Sequence, residues 1–122
     1  MTNREIYEAA LALLGERRAD CADYEARAPY LLGGVLAACH AADAAYRQAH
    51  ALPAGQSAVS PRPELDEAFP LCERFAPAAA LYLSALLIAG ENEVLSGEYL
   101  KEYREELARI TGAETPWVVH SI

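Results

Sequence analysis

Apolar positions recur every three to four residues in four stretches of the chain, a period that belongs to helices with one buried face rather than to strands. In the first stretch Ile6, Ala10, Leu13 and Leu14 share a face, and Arg4, Glu5, Glu8 and Ala12 fall away from it. Thr2 and Glu5 form the T-x-x-E pattern of a capping box, and Gly15 supplies a stop, so the spacing predicts a helix from Asn3 to Leu14. A second helical region starts near Asp20 and meets Pro29, whose ring predicts a kink or a break. From Pro29 the apolar run predicts a helix to about His40, with an extension to His50 as the longer reading. Gly33 and Gly34 each weaken that helix by about 1 kcal/mol relative to alanine, so their presence predicts a close packing contact.

The third stretch, Ala76 to Gly90, carries no charged residue, and Arg74, Glu91 and Glu93 flank it. A bilayer-spanning helix needs about 20 apolar residues, so this shorter run predicts a central core helix, with Pro77 in its first turn. The fourth helix is predicted from a Ser96 cap to Ile110, before Gly112. Its inward stripe is Tyr99, Leu100, Tyr103, Leu107 and Ile110, and Lys101 with Glu105 and Glu105 with Arg109 are read as exposed pairs. Between the halves, Ala51 to Pro63 gathers proline, glycine and serine without period, as an exposed loop does.

The expectation is an all-α fold: a single domain, residues 1–122, folded as a compact bundle of four to five helices. Its loop is 51–63, its extended C-terminal tail is 113–122, and Leu13, Leu36, Leu83, Leu87, Tyr103 and Leu107 form its core. The tail holds Trp117, Val118, Val119 and Ile122, an odd set for permanent exposure to water, which makes these four the candidate partner interface. Folding of the tail back over a groove in its own helices is the other reading of the same residues.

Composition narrows the functions open to such a bundle. The chain has 122 residues and a formal net charge of −8, which repels phosphate backbones and anionic lipid; autonomous nucleic-acid binding and membrane association are not expected. From Glu64 onward there are 11 acidic and 4 basic residues, so the second half is the acidic one. Charges at Arg4, Glu5 and Glu8 interrupt the apolar run an export signal needs, and Cys21, Cys39 and Cys72 lack any C-x-x-C spacing. Free thiols in a reducing cytoplasm are the expectation.

No constellation of catalytic residues emerges. Cys39 and His40 are neighbours, which on a helix puts them about 100° apart, and His50 and His120 complete no zinc spacing. Glu64, Asp66 and Glu67, or Glu105 and Glu106, suit solvated faces, and Gly33 and Gly34 lack the lysine of a phosphate loop. The reading is therefore no enzyme, no cofactor and no metal. Seven tyrosines offer amphipathic surface, with Tyr82, Tyr99 and Tyr103 expected at core rims.

The stretch Glu73 to Ile110, "ERFAPAAALYLSALLIAGENEVLSGEYLKEYREELARI", resembles the C-terminal half of the small head-tail connector or adaptor proteins encoded by phages and prophages. The likeness lies in an alanine-rich helix led by Phe75, Ala76 and Pro77 and centred on Leu81, Tyr82 and Leu83. An acidic turn at Glu91 to Glu93 follows, then a helix packing through Tyr99 and Tyr103. The opening "TNREIYEAALALLGE" is similar to their first helix, so the likeness covers about half the chain. It implies a virion structural protein that self-associates and docks on portal or tail-side adaptor proteins, cytoplasmic during assembly and then part of the virion. The alternative function is a small helical regulatory or apolar-ligand-binding module, which would place its pocket between Pro29–His40 and Ala76–Gly90.

Overall fold

The computed structural model of the chain describes residues 1–15 and 22–112. Four α-helices follow one another: α1 (Asn3–Leu14), α2 (Ala22–Ala49), α3 (Ala76–Ile88) and α4 (Glu93–Thr111), with a 3-10 turn at Glu73–Phe75 leading into α3. The fold is all-α; among the described residues the only β-type pairing is an isolated bridge between Thr2 and Ala68. No helix among them is long and apolar enough to cross a membrane.

Local chemistry accounts for most helix ends. Thr2 and Glu5 close the capping box of α1, and Gly15 ends that helix in the left-handed region at φ 73°. Gly112 ends α4 in the same way. Two ends differ from expectation. Asn92, and not Ser96, caps α4, its side chain accepting from the Leu95 amide at 3.0 Å. Ser96 lies one turn inside and donates its hydroxyl to the Ala85 carbonyl at 2.8 Å, so it pins α4 to α3. Pro29 neither starts nor ends a helix: α2 runs through it for 28 residues. Proline removes one amide donor, and the packing of Tyr24, Ala28 and Leu32 on either side of it holds the helix together there.

α3 is the central element. Ala78, Ala79, Ala80, Leu83, Ser84, Ala85 and Leu87 are all buried, which covers most of its circumference. The Ser84 hydroxyl, fully buried, donates to Ala80 within α3 and to the Ala10 carbonyl of α1 at 3.2 Å. Small side chains on α3 let its neighbours approach closely. One core cluster draws on α1, α2, α3, α4 and the connection between α2 and the 3-10 turn.

Leu36, Leu83, Leu87 and Tyr103 are buried as expected, but Leu13 is 42% exposed and Leu107 only half-buried. On α1 the buried face is Asn3, Ile6, Tyr7, Ala10 and Leu11. It is turned toward Asn3 and Tyr7, two residues with polar atoms, because the Asn3 amide donates to the Glu64 carbonyl at 2.9 Å and so docks the connection. That rotation carries Leu13 to the surface. On α4 the buried line is Ser96, Tyr103 and Ile110, seven residues apart, which leaves Leu107 beside the seam.

Candidate interaction surface

Three places on the molecule bring together side chains that could do more than fill a core. The first is buried on α2. Asp43, 3% exposed, accepts the Cys72 amide at 2.8 Å and Arg47 Nε at 2.9 Å. The same guanidinium donates to the Pro53 carbonyl at 3.0 Å and the Pro70 carbonyl at 3.3 Å. One ion pair thus ties both ends of the connection to α2; the hydrogen bond that Arg47 donates to Asp43 holds the guanidinium above its ordinary pKa. The four-residue spacing, about one helical turn, is compatible with an Asp43–Arg47 pair on a helix, but nothing in the sequence marks it as buried.

The connection itself departs from a free loop. His40 Nε2 lies 2.8 Å from the Gln56 carbonyl, and Leu65, Phe69 and Leu71 are buried in the core. Gly33 sits against the chain at Pro61: a β-carbon there would lie 1.9 Å from the Pro61 carbonyl oxygen, so the close contact expected at this glycine is made to the connection and not to a helix. Gly34 faces open space.

Cys39 and His40 point apart. Cys39 is buried with Sγ 3.7 Å from the Tyr103 hydroxyl, and burial pushes both the thiol and the phenol above their ordinary pKa values. His50 stacks on Tyr46, ring centroids 4.1 Å apart. Cys39 and Cys72 are free thiols. Among the described residues no group of three or more histidine, cysteine, aspartate or glutamate side chains converges to hold a metal ion. On α4, Arg109 bonds Glu106 at 2.8 Å in place of the expected Glu105, and Glu106 also meets Arg74 at 3.5 Å.

The second place is an open polar hollow of about 800 Å³ lined by Arg4, Glu25, Pro29, Arg62, Glu64 and Asp66, among others. Its charged groups are paired with one another. Arg4 pairs with Asp66 at 2.9 Å and with Glu25 at 3.4 Å, and Arg62 stands 3.9 Å from Glu64 and 4.8 Å over the Tyr30 ring. Two arginines face three carboxylates, so no positive surplus is left to draw an anion.

The third place is an apolar groove of about 550 Å³ along α1 and α3. Ala9, Ala12 and Leu13 of α1 and Ala76, Pro77, Ala80 and Leu81 of α3 line it, with Met1 at one end and Glu5 as its one charged side chain. Its origin is geometric. On α3, Ser84 faces α1 and Ala85 faces α4, and at 100° per residue Pro77 and Leu81 fall between those two directions. Short alanines on both walls leave the space between unfilled, and the Tyr99 hydroxyl closes the far end by donating to the Leu13 carbonyl at 2.6 Å. Met1, 47% exposed, and Leu13 are its solvent-facing rim.

Sequence reasoning missed this groove because it placed Leu13 inside. The residues it did choose as an interface, Trp117, Val118, Val119 and Ile122, lie outside the described residues, as do His120 and Cys21. Leu32, Leu36, Cys39, Ala79 and Leu83, on the helices between which a ligand pocket was expected, are fully buried in one shared core cluster. Comparison of the chain with protein-family models, with curated proteins and with solved structures finds no match.

Proposed function

We propose that this chain is a non-enzymatic structural subunit of a phage or prophage head-tail junction, working by self-assembly and by docking on portal or tail components. The observation that carries the docking part is the α1/α3 groove, an apolar, surface-open hollow on a strongly acidic body. The naming of the assembly rests on the resemblance of Glu73 to Ile110, a segment that folds as the 3-10 turn and the α3–α4 pair. Within that pair Ser96 bonds the Ala85 carbonyl and Tyr103 packs on Tyr82, so α4 is fastened to α3 along its length.

The same groove also favours a second reading, an apolar-ligand module, since its volume falls in the range of small-molecule sites. Deleting the coding sequence from an inducible prophage that carries it separates the two. The connector reading expects loss of infectious tailed particles with capsids and tails accumulating apart. Intact, infectious tailed particles would overturn it.

A further inference from the structure

We infer that a water molecule is bound between the start of α1 and the connection, donating a hydrogen bond to the side-chain oxygen of Asn3. The site shares no lining residue with the α1/α3 groove and holds whatever assembly the chain joins.

Asn3 is 1% exposed, and its Oδ1 is the one buried side-chain oxygen or nitrogen without a hydrogen-bond partner among the described residues. Chemistry fixes which way the amide points. Nδ2 donates to the Glu64 carbonyl at 2.9 Å, and turning the amide over would set oxygen against oxygen. A buried acceptor left dry is destabilising, and folded proteins satisfy such groups with ordered water.

Room and partners are both at hand. Asn3 lines a hollow of about 50 Å³ together with Leu36 of α2 and with Gln56, Ser60 and Glu67 of the connection. One water needs about 10–15 Å³ and two to four polar partners. Oε1 of Glu67 accepts the Glu64 amide at 2.9 Å, and a carboxylate has lone pairs for more. Ser60 Oγ accepts the Arg62 amide at 3.1 Å, so its own O–H remains to donate. Two acceptors and one donor match the two protons and a lone pair of a water. The walls are held apart by other bonds: the Asn3 amide donates to the Glu67 carbonyl at 2.9 Å, the Arg4 amide to the Leu65 carbonyl at 2.7 Å, and His40 meets the Gln56 carbonyl at 2.8 Å. A small cation is the rival occupant. Asn3, however, is the first residue of α1, where the helix dipole is positive, and its side-chain oxygen carries no charge, so the neutral ligand is favoured.

A high-resolution crystal structure of the full chain is expected to show a density peak within about 2.6–3.2 Å of Asn3 Oδ1. In solution, magnetic relaxation dispersion of the water signal should include a molecule that resides longer than the protein takes to tumble. Asn3→Leu, an apolar group of like size, should remove one water's share of that dispersion while the helical circular dichroism is kept. Ser60→Ala, at an exposed position, leaves Asn3 in place and should shorten the same water's residence; it decides the matter if Asn3→Leu does not fold. A protein donor found on Asn3 Oδ1 with no density beside it would overturn the inference, as would a dispersion that neither variant changes. An anomalous peak at the site after soaking in a thallous salt would overturn it too, making a cation the occupant.

Discussion

α3 and the connection from His50 to Cys72 are opposites as sequence and near equals as structure. α3 is apolar on every side, and its burial follows from that density alone. The connection is rich in proline, glycine and serine, yet it places Leu65, Phe69 and Leu71 in the core and is held to α2 at His40, Asp43 and Arg47. α3 is fixed by nonpolar area; the connection is fixed by a few side-chain bonds to backbone atoms plus three irregularly spaced apolar anchors. The consequence is a reversal of the expected exposures. The connection is committed to its own protein, and the outer edge of α1, read as core, is open.

The largest effects should come from striking each region at its own support. Leu87→Ala, at a fully buried α3 site, is expected to cost about 2–5 kcal/mol in chemical denaturation. Asp43→Ala removes no core volume of consequence, yet it orphans the Cys72 amide and an inward-facing Arg47. A loss of about 1–3 kcal/mol is expected, with the denaturant slope unchanged. A loss under about 0.5 kcal/mol would place Asp43 among ordinary surface residues and leave the connection without its main tie.

The two neighbouring glycines sharpen the contrast within one helix. Gly33→Ala drives a methyl group into the Pro61 carbonyl and is expected to cost about 1–3 kcal/mol; Gly34→Ala meets nothing and should stabilise by about 0.5–1 kcal/mol. Equal effects at both positions would mean that the connection does not cross α2 at Gly33.

Helix ends and helix existence were legible because they are written in local chemistry: the Thr2–Glu5 box, Gly15, Gly112 and the charge-free run from Ala76. Rotation about the helix axis was less so. Asn3 and Tyr7 carry polar atoms and were not counted on the apolar face of α1, and without them that face reads through Leu13 and Leu14. The same limit hid the groove, since a hollow between helices is set by the relative rotation of two elements and not by either alone. Ser96 shows a related ambiguity: serine is as good a cap as asparagine, and only the turn preceding α4 decides which one the helix uses. Asp43 and Cys72 are 29 positions apart, and their bond leaves no periodic trace.

The smallest expected effect concerns the α2–α4 contact. Burial raises the Tyr103 phenol, so the folded state keeps its proton where the unfolded chain has lost it. This contribution to stability is complete below the ordinary phenol value of about 10 and declines as pH rises beyond it. Cys39, raised by burial too, acts in the same direction from about pH 9. Tyr103→Phe should make the alkaline decline of the melting temperature shallower; an unchanged slope would remove Tyr103 from its causes.

Amide hydrogen exchange, read residue by residue on the full chain, tests most directly whether the connection belongs to the folded core. The Phe69 amide donates to the Met1 carbonyl at 2.9 Å, and the Cys72 amide to Asp43 at 2.8 Å. Both are predicted to exchange with protection comparable to that of Leu83 in α3. Exchange of Phe69 and Cys72 at the rate of an unstructured peptide, with Leu83 still protected, would contradict the account and return the connection to the surfaces free for a partner.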